Sequence, residues 1–415
     1  MLNQELSDLR SRRLRRAFDI ASLVEDVAIV AMPARSGSSW LIETLKQSEG
    51  AVHLKGELTP LLRLNNLAVP TYTNSEALGA NDVEYVTENL VGEISLEAGW
   101  PEDDISDPDA FIEDTLFRLY LQWPNLKISP SNAEVLLREI LANFSLKGFD
   151  AAAFTCAVIS QLSDLGENID IGFYDFGKEP AKITSQLPWD HLYESPPFIT
   201  FRSWRNASAE NLKGKVLIVK SAGDIHRLSF YKQLFKNARF RIIHLARNPA
   251  ATVNGLMDGW KSSKYQSFNV GNLNISDYSD MGENWRSNWW KFDLAPGWES
   301  FRSSPLSEVC AWQWKNSQET ILDWVEQHKP ETFYLRYEDL IGNLAQPAEI
   351  VGRLCKWLNL SNTISMSNSV VNASKPPSMY RWKLRSNTIL PILEEPEIKI
   401  LAERLDYRNN FELWP

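Results

Sequence analysis

The turn Pro33-Ala34-Arg35-Ser36-Gly37-Ser38-Ser39-Trp40 sets small residues between a short apolar run and the start of a helical period. Successive backbone N–H groups at such a helix start can converge on a phosphate. It is not a Walker A loop, because Gly37 is followed by Ser38 and Ser39 and no Gly-Lys-Ser/Thr lies near it; Arg35 supplies the cation instead. An ordinary strand-to-helix turn has the same outline, so weight falls on other charged residues that occupy similar positions. Lys220 closes an apolar run, Arg247 closes another just before a helix opening at Pro249, and Glu57 follows Gly56 beyond the first helix. A hydroxyl that attacks an electrophile must lose its proton to a base within hydrogen-bond reach, for which Glu57, His53 and His226 are the candidates. Lys375 and Arg381 sit near Pro376-Pro377, a local loop on which exposed charges are the common case.

Taken together, these strings resemble sulfotransferases. Arg35-Ser36-Gly37-Ser38-Ser39-Trp40 is similar to that family's 5′-phosphosulfate loop, Pro-Lys/Arg-Ser-Gly-Thr-Thr-Trp/Leu, and Leu245-Ala246-Arg247-Asn248-Pro249 through Leu256 is similar to its 3′-phosphate motif. The resemblance continues at Arg336-Tyr337-Glu338-Asp339-Leu340 and Arg381-Trp382-Lys383, covering roughly 27–60, 196–260 and 285–407. Pro196-Pro197-Phe198 and Trp290 through Trp298 look like a bacterial branch.

The resemblance implies a 3′-phosphoadenylyl sulfate (PAPS) co-substrate, direct in-line transfer to a hydroxyl, and no metal. Arg35 would face the leaving 5′-phosphate and Lys220 the sulfuryl or bridging oxygen. Ser36, Gly37, Ser38 and Ser39 would wrap the phosphate, Trp40 would face adenine, Arg247 would take the 3′-phosphate, and Lys375 and Arg381 would close a C-terminal lid loop. The family's serine eight residues after the 3′-phosphate arginine is Gly255 here, so Asn254 or a backbone N–H must stand in. Glu57 falls where a subset of the family keeps a Gly-Glu base. The histidine of cytosolic members would fall two residues past Lys220, where this chain has Ala222.

These residues need a sheet to hold them. Val27 to Met32, Lys215 to Lys220, Phe240 to Arg247 and Thr332 to Tyr337 are short apolar runs leading into turns and helical periods, as parallel strands lead into crossover helices. The expected fold is α/β: a parallel β-sheet of P-loop nucleoside-triphosphate-hydrolase type, flanked by helices, in one domain over 1–415. The first and second runs are too far apart for one crossover, which predicts an inserted, mainly helical cap over 60–195. Within it, Asp109 to Pro124 and Ser131 to Leu146 read as helices, with Ser131 capping and Glu134 reaching back.

Lys plus Arg number 43 against 53 Asp plus Glu, a net charge of −10, which argues against wholesale binding to nucleic acid. An anionic ligand therefore needs a local basic pocket. No apolar run is long enough for a membrane helix, so no integral membrane association is expected. The arginine-rich Leu2 to Leu23 reads as a solvated helix packed on the domain rather than a membrane-surface helix. Cys156, Cys310 and Cys355 have no metal-ligand spacing and read as buried thiols in a reducing, cytoplasmic setting. Half of the 16 tryptophans fall between Trp260 and Trp324. Trp285, Trp289, Trp290 and Trp298 among them wall either the core or a partly apolar acceptor cleft for a small molecule. A P-loop kinase or NTPase, and an inactive nucleotide-binding protein on the same fold, are the competing readings; oligomeric state is left open.

Overall fold

A computed structural model describes residues 4–176, 192–281, 284–341, 345–360, 379–407 and 414. Lys375 lies outside the described residues. The strands are β1 (Asp26–Ala31), β2 (Ala51–Leu54), β3 (Ala98–Pro101), β4 (Trp204–Asn206), β5 (Val216–Val219), β6 (Arg239–Ala246), β7 (Ser267–Asn269), β8 (Trp289–Lys291) and β9 (Glu331–Arg336). Seven form one mixed, mostly parallel sheet in the order β4-β3-β2-β5-β1-β6-β9, while β7 and β8 pair by themselves. From β2 to β9 every pairing is parallel, with Val27 opposite both Leu217 and Phe240; β3 and β4 add an antiparallel edge.

The four expected apolar runs are β1, β5, β6 and β9. They are apolar because most of them are covered on both faces. Side chains alternate across the sheet, so Val27, Ile29, Val52, Leu217 and Val219 join one core. Ala28, Val30, Ala51, Ile218, Ile243 and Leu335 join another, against Leu41, Ile42 and Leu45 of helix Ser38–Leu45. Every residue of β1 from Val27 onward is buried.

The stretch 60–195 holds helices Glu88–Glu97, Pro108–Gln122, Pro130–Leu141 and Ala151–Asp164, and β3, which the sheet takes in as a strand. The last three helices share a core with Phe173 and Phe198 that is separate from those of the sheet. The expected cap at Ser131 is corrected: Ser129 is the N-cap and accepts from Asn132 N at 3.3 Å, while Ser131 lies in the first turn and donates to Glu5. Pro130 occupies the first helical position, where a missing N–H costs nothing, and this moves the cap two residues back.

Helix Gln4–Leu14 lies on this unit through Leu6 and Leu9. Its arginines are matched by carboxylates, Arg13 to Glu93 and Asp114 and Arg12 to Glu113 and Glu134, so the basic stretch faces protein. Cys310 and Cys355 are buried thiols, but Cys156 is exposed, a correction that follows from its place on the outer face of Ala151–Asp164. No helix among the described residues is long and apolar enough to cross a membrane.

The tryptophan-rich stretch closes core. Trp260, Trp290, Trp298 and Trp314 are buried together between helices Pro249–Trp260 and Leu306–His328, with Trp260 and Trp290 edge-to-face at 5.1 Å between ring centroids.

Candidate active site

Ligands of open parallel sheets bind beyond the carboxyl ends of the strands. Here those ends carry the singled-out residues in spatial order: Glu57 beyond β2, Lys220 after β5, Arg35 beyond β1, Arg247 after β6 and Tyr337 after β9. At about 4.8 Å per strand, the arc spans roughly 20 Å. All five line a single cavity of about 680 Å³, together with Gly37, Ser38, Ser39, Trp40 and Arg381. Its wall bears eight Lys or Arg side chains against five carboxylates, on a chain whose net charge is −10. The cavity is thus a cationic site in an acidic protein, which suits a ligand with several negative charges.

The loop after β1 is fixed by its neighbours. Gly37 adopts φ 87°, and a Cβ there would stand 2.2 Å from the Tyr337 ring, so both backbone and space require glycine. Arg35 is also left-handed at φ 69°, and its guanidinium stacks over Tyr265 at 4.7 Å. Ser36 is fully buried, its Oγ without a hydrogen-bond partner among the described residues, and it lies behind the wall rather than lining it, which corrects the expectation that its side chain wraps a phosphate.

Arg247 Nη1 donates to the Arg35 carbonyl at 2.9 Å, and its guanidinium lies over the Tyr337 ring at 4.5 Å. Burial lowers its pKa, a cost that an anion in the cavity would offset. Glu338 accepts from Asn248 N and Nδ2 at 3.0 and 2.6 Å and from the Tyr407 hydroxyl at 2.6 Å, tying the β6 and β9 ends together.

Gly255 and Asn254 are not brought to the cavity wall. A Cβ on Gly255 would meet the Arg35 Cβ at 3.4 Å, so this residue abuts the stem of the loop arginine. The role expected of Asn254 is corrected: its Oδ1 accepts from Arg385 Nη1 at 2.7 Å, and the residue is 4% exposed. Arg381 reaches the cavity while ion-paired with Asp258 at 2.9 Å; Arg385 binds the same carboxylate at 2.7 Å.

At the other end of the arc Lys220 Nζ donates to Glu57 Oε1 at 3.2 Å. His53 lines the cavity but is 1% exposed, and burial, then the Lys46 charge, push it down to about 3, which leaves a weakly basic imidazole. His226 is off the wall, with Nε2 at 3.7 Å from Asp293 Oδ2. The aromatic lining is Trp40, Tyr265, Phe292 and Tyr337; none of the crowded tryptophans 285, 289, 290 and 298 reaches it, which corrects the aromatic-cleft expectation for them.

Lys46, Arg63, Arg202 and Tyr265 also line the cavity and escaped the sequence reading. Lys46 had a signal, standing directly after the helix that follows the Pro33–Ser39 turn. Arg202 reaches the wall just before β4, a strand that no apolar pattern announces.

No protein-family model matches this sequence, and no curated protein matches it. Among solved structures the chain is similar to the sulfotransferase domain from the curacin biosynthetic pathway, at 14% identity over 93% of this chain and 99% of that one, with a TM-score of 0.38. It is also similar to the sulfotransferase domain from the Synechococcus PCC 7002 olefin synthase, at 13% identity over 93% and 96% of the two chains, with a TM-score of 0.36.

Proposed function

We propose that this chain is a sulfotransferase moving a sulfuryl group from 3′-phosphoadenylyl sulfate to a hydroxyl of a small acceptor. The observation that carries the reading is the arc itself: adjacent parallel strands deliver Glu57, Lys220, Arg35 and Arg247 to one cationic cavity. The sheet is, on this reading, of P-loop type, and 60–195 forms a cap in a single domain, with Glu194 and Ser195 from its end meeting the cavity.

The residues suit the donor. Gly37 to Ser39 and Arg35 take the 5′-phosphosulfate, Trp40 the adenine, and Arg247 the 3′-phosphate. The buried Nε of Arg247, which has no hydrogen-bond partner among the described residues, is a polar atom of the cavity wall that a bound oxyanion or its water would satisfy. The acceptor oxygen attacks sulfur, its proton passes to Glu57, and the bond from sulfur to the 5′-phosphate oxygen breaks with its electron pair leaving on that oxygen. Lys220 and Arg35 hold the charge that gathers there, and preplaced donors of this kind supply most of what such a transfer needs. The pairing of Lys220 with Glu57 sets cation and base side by side before substrates enter, with the two parting as acceptor and donor take their places.

Incubation with sulfur-labelled donor and a panel of alcohols should give labelled sulfate ester. Glu57→Gln should lower kcat by roughly 100- to 10,000-fold while leaving affinity for adenosine 3′,5′-bisphosphate within a few-fold. Magnesium-dependent ATP hydrolysis would favour a kinase or NTPase instead, and tight nucleotide binding without any turnover an inactive relative.

A further inference from the structure

Helix Ser38–Leu45 runs from the phosphate loop at its N-terminus to Lys46 at its C-terminus, and eight residues make it about 12 Å long. The cavity is lined along that length, for both Ser38 and Lys46 belong to its wall. Towards the far end the wall carries three donors, His53, Arg202 and Lys46, near enough that the Lys46 and Arg202 charges act on each other and on His53. His53, on the sheet face that this helix covers, is 1% exposed, and by geometry neither ring nitrogen has a hydrogen-bond partner among the described residues, although the Leu45 backbone is near enough to oppose the lowering of its pKa by burial. Arg202 Nη2 donates to the Lys55 carbonyl at 2.5 Å, and its Nε is buried with no partner among the described residues. Lys46 Nζ meets Glu43 Oε1 at 2.6 Å, which occupies one of its three donor directions.

Resting on the sulfotransferase reading, we propose that the acceptor is a hydroxy acid whose carboxylate is held by His53, Arg202 and Lys46 while its hydroxyl reaches Glu57. Three N–H donors on one stretch of cavity wall suit the four lone-pair positions of a carboxylate, and each charge-assisted contact is about twice as strong as a neutral one. The donor's phosphates are excluded as occupants, since they sit at the opposite end of the helix. The electrostatics agree. Burial lowers Lys46 to about 8, with Arg202 and Lys220 adding to the effect and Glu43 opposing it, and burial lowers Arg202 against the pull of Glu43, Glu97 and Asp175, so both cations carry a cost that their carboxylate neighbours offset only in part and that an arriving anion would relieve further.

The test titrates ω-hydroxy fatty acids of increasing length, each paired with the diol of the same length, into the protein saturated with adenosine 3′,5′-bisphosphate, and repeats the series with labelled donor. At the best length the acid should bind roughly tenfold to hundredfold more tightly than its diol. Arg202→Gln and Lys46→Met, checked for cooperative unfolding and nucleotide affinity, should each bring the two ligands toward parity. Equal binding of acid and diol by the unaltered protein at every length, or a preference that survives both substitutions, would overturn the carboxylate subsite. The two readings fail separately: acid preference without label transfer supports the subsite and removes the sulfotransferase, whereas equal transfer to acids and diols does the reverse.

Discussion

Two sets of arginines, one buried under the N-terminal helix and one half-buried in the cavity wall, are treated in opposite ways. On the N-terminal helix, Arg13 is 1% exposed and wedged between Glu93 and Asp114, both at 2.9 Å. Burial by itself would lower it, but those carboxylates overcome the effect and raise it. In the cavity, Arg247 and Arg202 are held by the carbonyls of Arg35 and Lys55, and burial leaves both lowered. A carbonyl orients a guanidinium without neutralising it. The first set has its charge consumed by the fold, and the second keeps its charge for something that arrives.

The sharpest way to break this contrast is at Arg13. Arg13→Met leaves Glu93 and Asp114 short of their main partner in a buried setting, and urea denaturation should show a loss of about 3 kcal/mol. Nucleotide affinity in the surviving folded fraction should not change. Arg247→Ala should behave in reverse: affinity for adenosine 3′,5′-bisphosphate falls roughly tenfold to hundredfold by calorimetry, while unfolding free energy shifts by no more than about 1 kcal/mol. A large stability loss there would place Arg247 in the first set. Smallest of all, Arg12→Ala removes pairs from a side chain that is 42% exposed, and should cost no more than about 0.5 kcal/mol. A larger value would show that position, not burial, decides what these arginines are worth.

The same division explains what the sequence disclosed. β1, β5 and β6 were legible because strands covered on both faces must be continuously apolar, and the edge strand β9 because Thr332, Phe333 and Tyr334 are strong strand formers. β2 contains His53 in only four residues, and β3 and β4 contain Gly99, Pro101 and Arg205, so no local pattern marks them; they exist because the sheet edge supplies partners. At the site, Arg35, Lys220 and Arg247 were readable because each stands at the end of a legible strand or in the loop after it, and Glu57 only because it follows Gly56 where some of the resembled sulfotransferases keep a base. Lys46 and Arg202 were not, since they meet only once β2 has paired with β3 and β3 with β4. Asn254 misled by sequence position: it neighbours the family's serine site, yet on a helix adjacent residues face different directions, and its partner is Arg385.

The missing side chain at position 37 has a further reach. The Tyr337 ring fills that space with one edge and carries the Arg247 guanidinium on its face. Anything bulkier at position 37 would therefore be felt first by an aromatic two strands away, and through it by the cation resting there. The loop at Gly37 and the cation at the end of β6 are coupled as a single mechanical part, so reshaping one resets the other.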